Sequence, residues 1–272
     1  MTEFARKNIL ITGGACGIGR QMALRMAREG SNVILWDIHE ANLEKARREV
    51  GDVAGREVRG YVCDVSDREA VYTTAEKVRQ EVGPVDILVN NAGVVSGKPF
   101  LDLPDEKIEA TFKVNVLGLF WVTKAFLPHM VERNEGHVVN IASSAGFVGV
   151  SRLTDYSASK FAAVGFDESL RNELRRVAPK VRTTVVCPFF IDTGMFAGAK
   201  TRFAFLLPIL KEVDVADAVV KAVKADRARL MMPPMVYLVP PLRLLPVKVF
   251  DAVADVLGVN VSMDEFVGRA KA

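Results

Sequence analysis

Tyr156 and Lys160 stand four residues apart, and Ser143 precedes the tyrosine by 13 positions. On a helix such a pair shares one face, about one turn apart. A tyrosine is a poor base in water, since its pKa is about 10. To work near neutral pH it needs a downward shift of about 3 units, roughly 4 kcal/mol. A fixed positive charge beside it favours the phenolate and moves the pKa in that direction. A hydroxyl such as that of Ser143 could then hold a substrate oxygen against the phenol. These three residues describe a site that moves a proton on or off an alcohol, and such a site needs a partner that moves the hydride. Tyr-x-x-x-Lys alone is weak, because the same spacing arises by chance on amphipathic helices, so the elements around it must decide.

The apolar stretch from Asn8 to Thr12 reads as a short buried strand, followed by Gly13-Gly14-Ala15-Cys16-Gly17-Ile18-Gly19 and a helical pattern from Arg20 to Arg28. A strand, a glycine turn and a helix N-terminus make an anion cradle: glycine lets backbone approach a phosphate, and the helix end supplies N–H groups and partial positive charge. A second strand over Asn32 to Trp36 ends in Asp37, 18 residues after Gly19, where a carboxylate can bind a ribose diol. The simpler role for Asp37 is to cap the helix that begins near Glu40.

Further strands are predicted over Glu57 to Cys63, Val85 to Val89, His137 to Ile141 and Val181 to Val186, with helices over Asp67 to Val82, Pro104 to Glu132 and Asp155 to Arg176 between them. Strands that alternate with helices and are apolar on both faces predict a parallel sheet covered on both sides. The expected fold is therefore α/β, a single-domain Rossmann-type doubly wound parallel sheet over residues 1–272. Gly13 to Gly19, Asp37, Asp64, Asn91, Ser143 and Pro188 all follow the C-terminal ends of predicted strands, the edge at which open α/β sheets bind ligands.

Composition narrows the function. A net charge of +3 without a long basic run gives no nucleic-acid signal. Cys16, Cys63 and Cys187 are odd in number and lack metal-ligand spacing, so no metal and a reduced, cytoplasmic setting are expected. No signal-peptide core, N-terminal anchor or run of 18 apolar residues is visible.

Taken together, the chain resembles the short-chain dehydrogenase/reductase family from about Lys7 to Asp226. The resemblance rests on Thr12 to Gly19, Asp64-Val65, Asn90-Asn-Ala-Gly93, Asn115, Ser143, Tyr156-x-x-x-Lys160 and Pro188 to Thr193. It implies Tyr156 as acid/base, Ser143 orienting the substrate oxygen, Lys160 lowering the tyrosine pKa and binding the nicotinamide ribose, and Asn115 holding a relay water. It further implies that the turn of Gly13, Cys16, Gly17, Ile18 and Gly19 binds NAD. Asp64 and Val65 would contact adenine, Asn91, Ala92 and Gly93 would line the cofactor groove, and Ile191 and Thr193 would hold the carboxamide. One position departs from the family pattern: Phe189 follows Pro188 where a glycine is usual. The stretches Pro188 to Phe196 and Leu257 to Gly268 resemble the retinol and hydroxysteroid dehydrogenase branch. The family usually pairs through the two long helices, so a homodimer or homotetramer is expected.

The expected activity is NAD-dependent interconversion of an apolar secondary or allylic alcohol and its carbonyl. A non-catalytic dinucleotide sensor on the same fold is the alternative, since fold alone does not decide function; Asn115, Ser143, Tyr156 and Lys160 are all present, and a sensor would be free to lose them. Residues 188–212 form the expected substrate loop, in which Phe189, Phe196 and Phe203 are either an apolar substrate wall or simply core. Residues 230–272 form an apolar extension. Its four prolines at 233, 234, 240 and 241 exclude a spanning helix, and from Val247 onward Val249, Phe250, Val253, Val256 and Leu257 are expected to share a helical face. That extension either caps the substrate mouth or rests on a membrane surface, which would make the chain a peripheral or even a membrane-surface binding protein.

Overall fold

Alternating apolar residues on the first strand face two different layers of the structure. The computed structural model describes residues 1–268, so the last four positions of the expected extension lie outside the described residues. Strand β1 (Asn8–Thr12) sends Ile9 and Ile11 to one side, against Met22 and Met26 of α1 (Gly17–Arg28) and Val215 and Val219 of α7 (Glu212–Lys224). Leu10 faces the other side, with Val71 and Val78 of α3 (Arg68–Glu81), Phe126 of α5 (Gly118–Arg133) and Leu174 of α6 (Thr154–Val177). Period-two burial with apolar residues on both faces is what a helix-covered parallel strand requires.

The remaining strands are β2 (Asn32–Asp37), β3 (Arg59–Val62), β4 (Ile87–Asn90), β5 (Gly136–Ile141), β6 (Val181–Pro188) and β7 (Arg229–Met232). They form one parallel sheet in the order β3-β2-β1-β4-β5-β6-β7. The order reverses direction at β1 and β4, and in such sheets a crevice opens beyond the strand ends at that point. Between β2 and β3 runs α2 (Glu40–Ala54), which ends at Gly55 in the left-handed region. Asp67 starts α3 by accepting the Glu69 and Ala70 amides at 2.9 and 3.1 Å, as an N-cap carboxylate does.

After β4, α4 (Asp105–Phe112) continues through a five-residue π-helical segment, Lys113–Leu117, into α5. Asp105–Arg133 thus becomes one helix of 29 residues, long and apolar enough by composition to cross a membrane, although the sequence shows no unbroken run of 18 apolar residues. Here it packs on the sheet and carries the buried polar residues Asn115 and Thr123, as a core helix does. Its outer side and that of α6 leave Phe112, Leu117, Phe120 and Phe161 exposed.

The expected extension begins later than the composition suggested. Leu230 to Met232 are part of β7, paired with Val186 to Pro188 of β6, so the extension proper starts at Pro233. It contains a 3₁₀ turn over Pro234–Leu238, the short helix α8 (Val239–Leu242) and α9 (Val247–Val256). On α9 the expected face divides. Phe250, Val253 and Leu257, with Ala254, turn toward a cavity, while Val249 and Val256 are exposed. The inward set follows the i, i+3, i+4, i+7 spacing of a single helical face.

Candidate active site

The turn after β1 is held from the neighbouring strand. Asn91, which follows β4, donates its side-chain amide to the carbonyls of Thr12 and Gly13 at 2.9 and 3.0 Å. Its backbone amide and that of Ala92 donate to the Thr12 hydroxyl at 3.0 and 3.1 Å. Gly13 and Gly17 adopt φ of +61° and +54°, a region glycine enters without strain. A Cβ on Gly19 would run into the Gly13 carbonyl and the Asn91 amide. Gly19 therefore lets the helix approach the turn.

The turn opens on a groove of about 1270 Å³. Every expected cofactor residue except Gly19 lines it: Gly13, Cys16, Gly17, Ile18, Asp37, Asp64, Val65, Asn91, Ala92, Gly93, Tyr156, Lys160, Pro188, Ile191 and Thr193. Asp37 does not cap α2 with its side chain in the way a helix-starting residue would. Its carboxylate accepts the Ala15 amide at 3.0 Å and the His39 amide at 3.1 Å, which fixes it at the groove wall beside the glycine turn. Asp64 accepts from the backbone and hydroxyl of Ser66 at 2.8 and 2.7 Å. A Cβ on Gly93 would stand 3.3 Å from Asn115 Oδ1 and 3.7 Å from Lys160 Nζ, so the groove floor is shaped by a missing side chain. Large, lined by glycines and carrying the Asp37 and Asp64 carboxylates, the groove fits a dinucleotide.

Tyr156 and Lys160 lie in the first turns of α6, both buried. The Lys160 ammonium donates to the Ile141 carbonyl at 2.9 Å and sits 5.5 Å from the centroid of the tyrosine ring. Burial brings the lysine down to about 8. Burial pushes the phenol of Tyr156 up to about 12, with the hydrogen bond to Ser143 pulling the other way. In this state desolvation dominates, opposite to the direction expected from charge proximity alone. The Ser143 hydroxyl accepts the Ala145 amide at 3.1 Å and donates to the Pro188 carbonyl at 3.4 Å. The side chain of Asn115 is engaged within the protein. Both its amide hydrogens are spent on Val94 O and Ser159 Oγ, each at 3.0 Å, and its oxygen accepts the Val94 amide at 2.8 Å. Its side chain ties the loop after β4 to α6 and offers no amide hydrogen to a relay water.

A second cavity of about 820 Å³ adjoins the groove. Its wall is apolar except for Ser143, Ser144 and Tyr156, and Ser143, Tyr156, Phe189 and Phe196 border both spaces. Phe196 meets the Tyr156 ring edge-on at 5.6 Å. Phe189 and Phe196 thus line the cavity. Phe203 does not line the cavity; it packs against Phe205 and under the Arg202 guanidinium. Sequence reasoning missed Leu153, Val236 and Val239, which carry no signal beyond being apolar. Phe250 and Val253 of α9 and Leu257 at its end were legible as a helical apolar face, and this face lines the cavity.

Residues 7–202 match the family model for short chain dehydrogenases. Epidermal retinol dehydrogenase 2 of Homo sapiens is 45% identical over 273 residues, covering 98% of this chain and 88% of that protein. Among solved structures, a short chain dehydrogenase/reductase from Burkholderia phymatum in complex with NAD superposes with a TM-score of 0.82 at 29% identity, over 92% of this chain and 96% of the other. An alcohol dehydrogenase from the archaeon Thermococcus sibiricus, complexed with 5-hydroxy-NADP, gives 0.74 at 28% identity, over 84% and 96% of the two chains.

Proposed function

The chain belongs to the short-chain dehydrogenase/reductase family and is a dinucleotide-dependent alcohol oxidoreductase; we propose that it oxidises a large apolar alcohol, of retinoid or steroid size, with NAD, or reduces the matching carbonyl. The observation that carries this reading is the shared wall. The apolar cavity's polar lining is confined to Ser143, Ser144 and Tyr156, and two of these also face the cofactor groove. Two of the three polar side chains that line the cavity stand at its junction with the groove, so a substrate oxygen is drawn to the place where a cofactor would meet it. The similarity to a retinol dehydrogenase points to the same class of substrate.

The chemistry NAD supplies when bound is acceptance of a hydride at its nicotinamide ring. Ser143 holds the substrate oxygen, and Tyr156 takes the hydroxyl proton during oxidation or returns it during reduction. Lys160 holds a ribose and keeps positive charge near the phenol. With its phenol pushed up to about 12, Tyr156 is protonated at neutral pH and ready to donate to a carbonyl. Oxidation needs the deprotonated form, so it should speed up as pH rises above 7 while reduction does not. Tyr156→Phe should lower turnover by at least about 10²-fold with cofactor affinity preserved, and Lys160→Met should lose both turnover and affinity. Steady-state rates with fluorescence titration of the cofactor check this; a Phe variant retaining more than about a hundredth of the rate excludes Tyr156 as the acid/base.

Asp37 supports NAD over NADP. Its carboxylate is fixed at the groove wall, where it would bind a ribose diol and repel a 2′-phosphate. Arg20, which directly follows the glycine turn, is occupied by Glu49 at 3.0 Å and Glu212 at 3.8 Å. The expected kcat/KM ratio favours NAD by at least tenfold, and Asp37→Ser should narrow it; equal efficiency with both cofactors contradicts this assignment.

The exposed Phe112, Leu117, Phe120 and Phe161 on the two long helices support pairing of two copies across that face, of the kind that crosses a stable apolar interface. Sedimentation should show a dimer or larger assembly for the native chain and a monomer for a Leu117→Lys, Phe120→Lys double variant. A native monomer at micromolar concentration would rule this out.

The extension serves as a cap. Leu242, Phe250, Val253 and Leu257 close the apolar cavity, while Leu244 (88% exposed), Val247 (75%) and Val256 (62%) face outward beside it. That outer face supports a second role, shallow contact with a membrane from which a lipid-soluble substrate could enter. Deleting residues 242–272 should raise KM for large apolar alcohols at least tenfold and leave NAD affinity nearly unchanged. Unchanged kinetics in a folded truncation would refute the cap, and liposome binding that survives Leu244→Ser with Val247→Ser would refute the membrane contact.

A further inference from the structure

One polar side chain of the apolar cavity has no task in the proton transfer. Ser144 follows Ser143 and opens a short 3₁₀ turn, Ser144–Gly146, just after β5. It borders the cavity but not the cofactor groove. It is 8% exposed, and its hydroxyl has no hydrogen-bond partner among the described residues. Buried polar groups in native proteins nearly always find a partner. The hydroxyls of Ser157 and Thr201 are also buried without one, but neither residue lines the cavity or the groove. Ser144 alone of the three opens on ligand space.

The turn fixes this side chain in place. Ser143 Oγ accepts the Ala145 amide at 3.1 Å, the Ser143 carbonyl accepts the Gly146 amide at 2.9 Å, and the Ser144 carbonyl accepts the Phe147 amide at 3.0 Å. The Phe147 carbonyl is held in turn by the Arg243 guanidinium at 2.7 Å. At Gly146 the turn runs so close to α6 that a Cβ would meet the Lys160 carbonyl. Resting on the reading of the cavity as the substrate site, we propose that Ser144 is a specificity-determining residue. Its hydroxyl binds a second, uncharged oxygen of the substrate, near the reacting carbon and on the side away from the cofactor. The substrate class is then a large apolar molecule with two oxygens at one end, such as a vicinal diol, hydroxyketone or diketone.

Each part of this assignment has a physical reason. Adjacent Cα atoms stand about 3.8 Å apart, so the hydroxyls of Ser143 and Ser144 address the same end of one molecule. Ser143 borders both spaces and Ser144 only the cavity, which places the second oxygen off the groove side. No charged side chain lines the cavity among the described residues, and a charge buried there would lack a partner. A serine hydroxyl both donates and accepts, so a neutral hydroxyl or carbonyl oxygen suits it. A substrate with one oxygen would place it at Ser143 and Tyr156 and cover Ser144 unpaired, at a cost in binding. Sites built around such a group discriminate against the analogue that lacks its partner.

The test on the full-length enzyme compares the reduction of two substrates, a methyl ketone with a long alkyl chain and the vicinal diketone of the same chain length. In both, hydride goes to one carbonyl carbon and Tyr156 supplies the proton to its oxygen; the second carbonyl of the diketone only accepts a hydrogen bond. The quantity read is the ratio of kcat/KM for diketone over ketone, relative to the same ratio in the unmodified enzyme, so the intrinsic reactivity of the diketone cancels. Ser144→Ala should lower that ratio by about fivefold or more, and Ser144→Thr, which keeps a hydroxyl, should hold it within about twofold. An unchanged ratio in Ser144→Ala, or an equal loss in both variants, overturns the proposal. Val253→Trp, which fills the cavity from α9, is the reference and should lower kcat/KM for both substrates. If it lowers neither, the reading of the cavity has failed and the proposal with it; if it lowers both while Ser144→Ala keeps the ratio, only the role of Ser144 has failed. Should Ser144→Ala not fold, a crystal structure of the unmodified enzyme with NAD and the diketone, a pair that cannot react, decides. It should place the second oxygen within about 3.2 Å of Ser144 Oγ; a water there, with that oxygen elsewhere, overturns the proposal.

Discussion

A buried ammonium sets the terms for this active centre. Lys160 carries its charge into the interior at the end of β5, and removing such an ion from water costs several kcal/mol even after the protein relaxes. The carbonyl of Ile141, the last residue of that strand, meets it at 2.9 Å. That bond fixes α6 against the strand end, and with it the position of Tyr156 one turn earlier. Side chains are excluded where they would press on this arrangement. A Cβ at Gly146 would lie 2.7 Å from the Lys160 carbonyl oxygen, and one at Gly93 would come within 3.3 Å of Asn115 Oδ1. The loops after β4 and β5 thus come close to α6 because two glycines permit it.

Polar residues near the site divide into those that face ligand space and those that hold the loops around it. Asn91 and Thr12 stitch the glycine turn to the end of β4, and Asn115 stitches the following loop to α6 through Val94 and Ser159. The Ser96 hydroxyl and the Thr111 hydroxyl both reach the Asp155 carboxylate at 2.7 Å, tying α4 to the start of the same helix. Groups held in this way need no reorganisation when charge moves, which is how preorganised sites lower barriers.

Beside this polar centre stands a cavity built almost wholly of carbon. The two spaces meet only at Ser143, Tyr156, Phe189 and Phe196. A cavity of this size and lining binds through area and shape, with a few polar groups to set orientation. Residues from the β6–α7 segment, the 3₁₀ turn after β7 and α9 all contribute to its wall. Phe189 in place of the usual glycine adds an aromatic ring to that wall and packs against Phe190 at 4.6 Å.

The sequence alone determined the alternation of strands and helices up to β6, the parallel sheet, and the gathering of Gly13, Asp37, Asn91, Ser143 and Pro188 at one sheet edge. These follow from local rules: apolar runs make buried strands, glycine marks turns, and parallel strands all end on the same side. Tertiary structure decided the rest. The helix α7 and the strand β7 escaped sequence reading; β7 is four residues long and merges with an apolar stretch, and only its pairing with β6 distinguishes it. Gly19 and Asn115 carried the right motif signals, but what each touches depends on where the chain returns: Gly19 meets Asn91, and Asn115 meets Ser159, from strands and helices distant in sequence. Phe203 and Phe196 looked equivalent along the chain, and only the path of the loop sent one to the cavity and the other to Arg202. A side chain's type limits what chemistry it can do, whereas its neighbours, its burial and hence its pKa come from contacts made across the fold.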